Sequence, residues 1–360
     1  MAKNAYIHIP FCKGKCNYCT FVSFCDFALK DAYINSLISQ IKAEYKGEEL
    51  ETLYFGGGTP SLLPIEDFEK IISLFKFANN AEITVEVNPE SVDESYLSGL
   101  KNLGINRISI GSQTFDDEIL KIIGRIHNSE QIKNTVMLAK MVGFENISLD
   151  LIYGLPSQDL CGFKRDLLEV IALDVQHVSL YGLKIEEGCY FYTHAPSLTA
   201  DHDLQADMYL QAVEILTDDG FEHYEISNFS KKSYNSNHNL NYWNNKTYYG
   251  FGCAASGYID EIRFQNVQDL NEYIQTPLNR EFEQKLSKEE ILEEEIFLGF
   301  RKIAGININE INQKFGVDFE KKYTKILDKY SDYFEKTDQG YALNLSGLLI
   351  STEILSEFIG

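Results

Sequence analysis

The feature that most constrains the fold is a repeated alternation of short β-like runs and amphipathic segments along the first two-thirds of the 360-residue chain. The amphipathic segments carry apolar residues at helical spacing, as helices that cover a sheet require. Strands that alternate with helices favour a parallel sheet, and right-handed crossovers let such a sheet curl toward a barrel. The predicted strands are Tyr6–Ile9, Thr52–Phe55, Ile83–Val87, Arg107–Ile110, Ile147–Ile152 and His177–Tyr181. The predicted helices between them are Asp31–Tyr45, Ile65–Phe77, Asp93–Leu103, Ser129–Val142 and Phe163–Ala172.

The pattern changes after about residue 200, so we expect an α/β chain in three parts. These are a partial (β/α) barrel over residues 1–200, an extension of the barrel over 201–285, and a smaller, mostly helical, winged-helix-like domain over 286–360. The extension has a helix at Asp203–Asp218, a strand at His223–Ile226 and a tight turn over Gly250–Tyr258. The last part has helices at Ser287–Ile303, Ile308–Phe315 and Phe319–Leu327, then a hairpin formed by Tyr333–Lys336 and Tyr341–Leu345.

Charge and cysteine usage exclude several classes of function. The chain has 32 Lys and Arg against 54 Asp and Glu, a net charge of −22, which disfavours nucleic acid and anionic lipid as partners. We find no apolar run near the ~20 residues that a membrane-spanning helix needs. The N-terminal residues show no long apolar stretch and no small-residue cleavage site, so we expect no secretory signal. An odd count of seven Cys indicates reduced thiols. We therefore expect a cytoplasmic protein.

Three of the cysteines are bunched in a short, basic loop directly after the first predicted strand. Cys12, Cys16 and Cys19 are separated by three residues and then by two. Thiolates favour zinc or iron–sulfur clusters. Three of them can hold three irons of a [4Fe–4S] cluster and leave the fourth iron open to a small molecule. A zinc site with a distant fourth ligand, or three unconnected core thiols, stays open as an alternative.

This C-x3-C-x2-C loop resembles the signature of the radical S-adenosylmethionine (SAM) enzymes. The resemblance implies a partial or full (β/α) barrel in which the open iron binds the amino and carboxylate groups of SAM. One-electron reduction in that family splits SAM into methionine and a 5′-deoxyadenosyl radical.

Further motifs resemble one branch of that family, the coproporphyrinogen dehydrogenase-like proteins. They include a glycine run after the second strand and polar residues at the ends of later strands, where barrel active sites gather. The resemblance implies that SAM contacts Tyr6, Tyr18, Gly57 and Glu86. In the dehydrogenase a second SAM is proposed, and the positions matching its contacts here are Gly58, Thr59, Gln113, Arg125 and Asp150. Whether one or two SAM molecules bind stays open.

Two departures from the dehydrogenase and one further motif point to a paralogous group of haem chaperones. Phe21 stands where the dehydrogenase carries a fourth Cys, and the chain reaches Cys12 without a long N-terminal arm. The segment His238–Trp243 resembles the H-N-x-x-Y-W motif of the chaperones. The resemblance implies haem as a further ligand, with His238 as its axial ligand, and transfer of haem to acceptor proteins.

The alternative function is oxygen-independent coproporphyrinogen III oxidation, in which two propionates become vinyl groups with loss of carbon dioxide. The chaperone interpretation assigns no catalytic residue. Whether the protein forms a homodimer stays open. No membrane anchor is visible in the sequence, and contact with a membrane through an acceptor protein stays open.

Iron and sulfide analysis separates the cluster from the zinc alternative. For protein purified without oxygen we expect iron and acid-labile sulfide in equal amounts, because a [4Fe–4S] cluster contains both. Zinc without sulfide would contradict the cluster and support a zinc-stabilised binding module.

Overall fold

The computed structural model describes residues 2–196 and 199–360. Its strands are β1 (Asn4–Ile9), β2 (Glu49–Gly57), β3 (Lys76–Val87), β4 (Arg107–Gln113), β5 (Ile147–Tyr153), β6 (His177–Gly182), β7 (Glu222–Glu225), β8 (Asn228–Ser230), β9 (Tyr249–Phe251), β10 (Ser256–Ile259), β11 (Ile262–Asn266), β12 (Arg280–Lys285), β13 (Ile306–Asn307), β14 (Phe334–Lys336) and β15 (Gly340–Leu343).

The helices of the first two-thirds are α1 (Lys30–Glu44), α2 (Ile65–Ile72), α3 (Glu94–Asn102), α4 (Asp117–Ile122), α5 (Ser129–Met141), α6 (Leu160–Ala172), α7 (Tyr190–Thr193), α8 (His202–Asp218) and α9 (Asn237–Trp243). Those that follow are α10 (Leu270–Gln275), α11 (Lys288–Gly299), α12 (Ile308–Phe315), α13 (Phe319–Lys322), α14 (Thr324–Lys329), α15 (Leu345–Leu349) and α16 (Ser351–Ser356). Within the described ranges no helix is long and apolar enough to cross a membrane.

The main sheet confirms the α/β fold with a partial barrel. Within the described residues it has nine strands in the order β7-β8-β6-β5-β4-β3-β2-β1-β9. Strands β1 to β6 lie in chain order and pair in parallel, and β9 adds a further parallel strand beside β1. Strands β7 and β8 are antiparallel additions beside β6, so β7 and β9 form the two edges of an open sheet.

Local chemistry explains most helix starts. The side chains of Asp93, Asp159 and Asp201 each accept a hydrogen bond from a backbone N–H in the first turn of α3, α6 and α8. Asn128 forms a reciprocal capping box at α5. Such caps satisfy N–H groups that have no partner inside the helix, which fixes where each helix begins.

Two predictions from the sequence were wrong in detail. The second helix ends at Ile72 and not at Phe77, because Lys76 and Phe77 already pair with β2 as the start of β3. The segment predicted as a tight turn over Gly250–Tyr258 contains the end of β9 and the start of β10. The sequence analysis also missed the antiparallel sheet β10-β11-β12, since its strands are short and pair outside the parallel pattern.

The C-terminal region confirms a small, mostly helical unit with a hairpin. Strands β13, β15 and β14 form a three-stranded sheet, and the predicted Phe319–Leu327 helix is divided into α13 and α14 at Tyr323. Phe300, Phe319 and Phe358 pack with Phe334 in its core. The division of the chain at residues 200 and 285 stays a prediction.

A buried carboxyl group lies where the main sheet meets the C-terminal region. Glu225 ends β7, forms a β-bridge with Lys302, and is fully buried. Its carboxylate accepts hydrogen bonds from the Ser227 N–H, at 3.0 Å, and from the Asn228 side chain. Burial raises the pKa of Glu225 to about 7, so the folded state holds its proton more tightly than the unfolded chain.

We expect Glu225→Gln to remove part of the pH dependence of stability. In the parent, the contribution of Glu225 to the free energy of unfolding is fully present below the unfolded pKa of about 4.3. It is lost as the pH rises through the folded pKa of about 7. At pH 8 the variant should therefore be more stable, by up to about 3 kcal/mol, and the difference should shrink at pH 6. Denaturant unfolding at both pH values tests this, with the exposed Glu222→Gln on the same strand as control. An unchanged or lower stability at pH 8 would contradict it.

Candidate functional site

The site is a cavity inside the open sheet, lined by the inner face of its parallel strands. Along β1 to β6, apolar residues such as Ile7 and Val85 alternate with polar residues that face the cavity, because successive strand residues point to opposite faces. The cavity measures about 580 Å³. The inward polar residues include Tyr6, Tyr54, Glu86, Arg107, Ser109, Asp150, Ser179 and Tyr181.

All thirteen residues singled out from the sequence line this one cavity. The three thiols come from the loop between β1 and α1, and the others come from the ends of strands, from nearby loops and from α9. They are Tyr6, Cys12, Cys16, Tyr18, Cys19, Gly57, Gly58, Thr59, Glu86, Gln113, Arg125, Asp150 and His238.

Backbone hydrogen bonds position the cysteine loop at the carboxyl end of the sheet. The Cys12 N–H donates to the Phe24 carbonyl at 3.0 Å, and the Thr59 N–H donates to the Phe11 carbonyl at 2.7 Å. Gly58 packs so closely that a Cβ there would lie 2.7 Å from the Phe11 carbonyl and 3.0 Å from Cys12 Sγ. A glycine is therefore required for the end of β2 to lie against this loop.

The three thiols are free, partly exposed and next to hydrogen-bond donors. Thr59 Oγ1 lies 3.6 Å from Cys12 Sγ, and Arg125 Nη1 lies 3.5 Å from Cys16 Sγ. Within the described residues, no three His, Cys, Asp or Glu side chains are grouped so that they could hold one metal ion. In a [4Fe–4S] cluster each Cys bonds a different iron, and thiolate sulfurs gain stability from nearby donors. The donor set and its surroundings therefore fit a cluster.

Glu86 is a buried carboxyl group at the centre of the cavity wall. It accepts a hydrogen bond from the Tyr54 hydroxyl at 2.9 Å and from the Gly57 N–H at 3.2 Å. Burial raises the pKa of Glu86 to about 7, and the nearby Asp150 carboxylate adds to the rise. Near neutral pH, Glu86 can therefore either accept or donate a hydrogen bond to a ligand.

Another part of the cavity wall is formed by Gln113, Arg125 and Asp150. Gln113 has a φ of 67° at an irregularity in the pairing of β4 with β5, and this turns the strand end toward the cavity. Arg125 Nη2 donates to the Gly111 carbonyl at 2.5 Å and to Asn88 Oδ1 at 2.8 Å. Asp150 accepts from Ser109 at 3.0 Å, and burial raises its pKa.

His238 lies deeper, on α9, with both ring nitrogens in hydrogen bonds. Thr52 Oγ1 already donates to Asn4, so the Nδ1–H of His238 donates to Thr52 Oγ1 at 2.7 Å. Its Nε2 accepts from the Tyr242 hydroxyl at 2.8 Å. Burial lowers the pKa of His238 to about 3, and the charge of Arg107 adds to this, so the ring is neutral.

The structure divides the His238–Trp243 motif between two cavities. His238, Asn239 and Tyr242 line the 580 Å³ cavity, whereas Trp243 lines a second cavity of about 590 Å³ beside α11. Tyr242 contacts both. The predicted haem ligand is thus 1% exposed, and its Nε2 can reach a metal ion only if the bond to Tyr242 breaks.

Sequence reasoning missed several residues of the cavity wall, of which Arg107 and Tyr54 are the most prominent. The signal was present, since in β1 to β6 polar residues alternate with Ile, Val, Leu or Phe. An alternating strand buried on both faces indicates a polar interior rather than a solvent-exposed face, and this pattern would have identified the inward residues.

Comparison with known proteins agrees with this geometry. Residues 6–170 match the family model "Radical SAM superfamily", and residues 286–350 match "HemN C-terminal domain". The solved structure titled "Coproporphyrinogen III oxidase (HemN) from Escherichia coli is a Radical SAM enzyme" superimposes with a TM-score of 0.87. It covers 99% of this chain and 90% of that chain at 20% identity, which shows a common fold. The fold is thus that of a radical SAM protein.

Proteins of similar sequence indicate the branch of this superfamily to which the chain belongs. The chain is 37% identical over 359 residues to the "Heme chaperone HemW" of Lactococcus lactis, with 94% of each chain covered. It is 34% identical to the protein of the same name in Bacillus subtilis, with 99% of each covered. The chain therefore belongs to the radical SAM superfamily, in the HemN-like branch that includes the HemW proteins.

We expect Gly58→Ala to impair formation of the cluster. The added methyl group must displace the Phe11 carbonyl or Cys12 Sγ, and overpacking of this kind costs about 1–3 kcal/mol. Iron and sulfide per chain should fall below the parent values. Gly14→Ala, in the cysteine loop, is the control, because nothing lies within 4 Å of a Cβ atom at that position. Equal iron content in both variants would contradict the role of Gly58.

Proposed function

We propose that this protein is a haem chaperone with a radical SAM fold, which binds a [4Fe–4S] cluster, SAM and haem and transfers haem to acceptor proteins. The observation that carries the proposal is the whole-length similarity to proteins named heme chaperone HemW. The cavity supports it, because it combines a three-thiol loop with a polar interior and a buried His on α9.

The cluster would be held by Cys12, Cys16 and Cys19, at the carboxyl end of the sheet. When bound, it supplies an open iron and an electron for the cleavage of SAM, the reaction of this superfamily. Arg125 donates toward Cys16 and offsets the negative charge of the thiolates. The loop's Lys13 and Lys15 add positive charge on the solvent side.

SAM would lie across the inner face between Tyr6 and Glu86. Glu86 is fixed by Tyr54 and the Gly57 N–H, so its free lone pairs are aimed into the cavity. A carboxylate there suits the amino group or the sulfonium of SAM. Tyr18, Gly58, Thr59, Gln113, Arg125 and Asp150 complete the set of proposed SAM contacts, in one or two binding sites.

Haem ligation would use the neutral Nε2 of His238. The ring already has the tautomer that a ligand needs, because Nδ1–H donates to Thr52 and leaves the Nε2 lone pair available. Tyr242 occupies that lone pair through its hydroxyl. Rotation of Tyr242 would expose Nε2 to the cavity and place the phenol ring near the porphyrin. Haem binding would thus exchange one hydrogen bond for a bond to iron.

His238→Ala and Tyr242→Phe should have opposite effects on haem binding. The first removes the proposed axial ligand, so we expect the haem dissociation constant to rise about tenfold or more and the Soret band to shift. The second removes only the hydroxyl that competes for Nε2, so haem binding should stay equal or become tighter. Absorbance titration of the full chain with haem measures both. An unchanged spectrum and affinity in His238→Ala would refute the ligand assignment.

Coproporphyrinogen III oxidation is the second candidate, supported by the structural similarity to HemN. Phe21, which stands in place of the fourth Cys, is 67% exposed at the mouth of the cavity. We expect no protoporphyrinogen from cluster-loaded protein given SAM, a low-potential reductant and coproporphyrinogen III without oxygen. A genuine dehydrogenase serves as the positive control. Product formed at a catalytic rate would replace the chaperone proposal by the enzyme.

A further inference from the structure

Arg107 is the largest fully buried side chain of the described residues, and most of its donors have no partner. Its guanidinium carries five N–H donors. In the described part of the chain its one hydrogen bond joins Nη2 to His177 Nδ1 at 3.4 Å, and its Nε is buried without a partner. No carboxylate of the described residues lies within 4.0 Å of it. A buried guanidinium with so few hydrogen-bond partners destabilises the folded state unless an acceptor pairs with it.

The carboxylates nearby do not supply that acceptor, because each is held by other donors. Burial opposes the charge of Arg107, but the acidic groups around it outweigh burial and raise its pKa. They are Glu82, Tyr54, Tyr224 and Asp150, which act through space. Arg107 is therefore charged. The donors that hold the carboxylates are Tyr54 and Gly57 for Glu86, Ser109 for Asp150, and the N–H groups of Asn237 and His238 for Glu82.

A second polar atom without a partner lies beside Arg107. Thr84 pairs with Arg107 in the register of β3 and β4, so both side chains lie on the same face of the sheet. Thr84 is fully buried, and its Oγ1 has no hydrogen-bond partner in the described structure. Arg107 lines the cavity and Thr84 does not, so the guanidinium, with its forked donors, is the group that the carboxylate of a cavity ligand can reach.

We propose that the Arg107 guanidinium forms a subsite that binds a carboxylate of the ligand in the cavity. The identity of the ligands rests on the proposed function, in which haem carries two propionates and SAM carries one carboxylate. Arg107 begins β4, whereas the cysteine loop lies at the carboxyl ends of the strands. Because the carboxylate of SAM is expected at the cluster, the geometry favours a haem propionate as the partner of Arg107.

Paired ligands test this subsite directly. Arg107→Met removes the charge and keeps an apolar chain of similar length. In the cluster-loaded full chain we expect Arg107→Met to weaken haem binding about 10- to 100-fold. This factor corresponds to the free energy that a hydrogen bond to a charged group contributes. Haem dimethyl ester, which has no free propionate, should bind the parent and the variant equally. The Soret band and the quenching of Trp243, the one Trp of the chain, report binding.

A second pair identifies the source of the carboxylate. SAM and decarboxylated SAM share the sulfonium charge and differ in the carboxylate. If Arg107→Met weakens SAM alone and leaves haem unchanged, the subsite stands and its ligand is SAM. If the variant changes the affinity of each ligand and of its carboxylate-free analogue by the same factor, the proposal is overturned.

Two further variants keep the test decisive if Arg107→Met unfolds. Thr84→Val removes only a buried hydroxyl on the neighbouring strand that does not line the cavity, so it is the matched control: haem and its ester should each bind it as they bind the parent. Arg107→Lys should recover part of the affinity, because it restores the charge without the forked donors. Thermal unfolding checks the fold of each. A parent that binds neither haem nor its ester refutes the chaperone proposal, whereas the SAM pair still tests Arg107.

Discussion

The structure depends on one constraint: the inner face of the parallel sheet is polar, and every polar group on it needs a partner away from water. The apolar outer face packs against helices, as in any such sheet. Inside, Glu82 on β3 accepts the backbone N–H groups of Asn237 and His238, and this fixes α9 across the interior. The satisfied groups of the inner face form the wall of the cavity. Two groups of this face, Arg107 Nε and Thr84 Oγ1, are buried without a hydrogen-bond partner among the described residues.

Hydrogen bonds also fix the residues at the two ends of the cavity. At the carboxyl ends of the strands, backbone bonds between the cysteine loop and the glycine run bring Cys12 against Gly58. At the opposite end, Thr52 and Tyr242 hold His238 as a neutral ring. The three-thiol loop thus lies at one end of the cavity, and a neutral, hydrogen-bonded imidazole lies at the other. A ligand that spans both would complete hydrogen bonds at each end.

Much of the fold followed from periodicity, because helices and strands with regular patterns leave a local signal. The six parallel strands and five of the helices between them were predicted, most of them within a few residues, but α4 was missed. The largest error, at the start of β3, arose where that strand extends to pair with β2. Short strands such as β9, and the antiparallel sheet β10-β11-β12, were missed because they are specified by distant partners rather than by their own sequence. The candidate site residues came from motifs. Arg107 and Tyr54 belong to no motif, and only the alternation of polar and apolar residues along their strands indicates them.

The sequence by itself determined the parallel α/β order, the three-thiol loop and the set of residues that meet at one edge of the sheet. These features depend on local spacing and on strand direction, which the chain carries in its order. Only the tertiary structure decided that His238 is hydrogen-bonded to Tyr242, that Trp243 faces a different cavity, and that Arg107 Nε has no partner among the described residues. The reason is physical: burial, hydrogen-bond partners and the charge state of a side chain are set by residues distant in sequence.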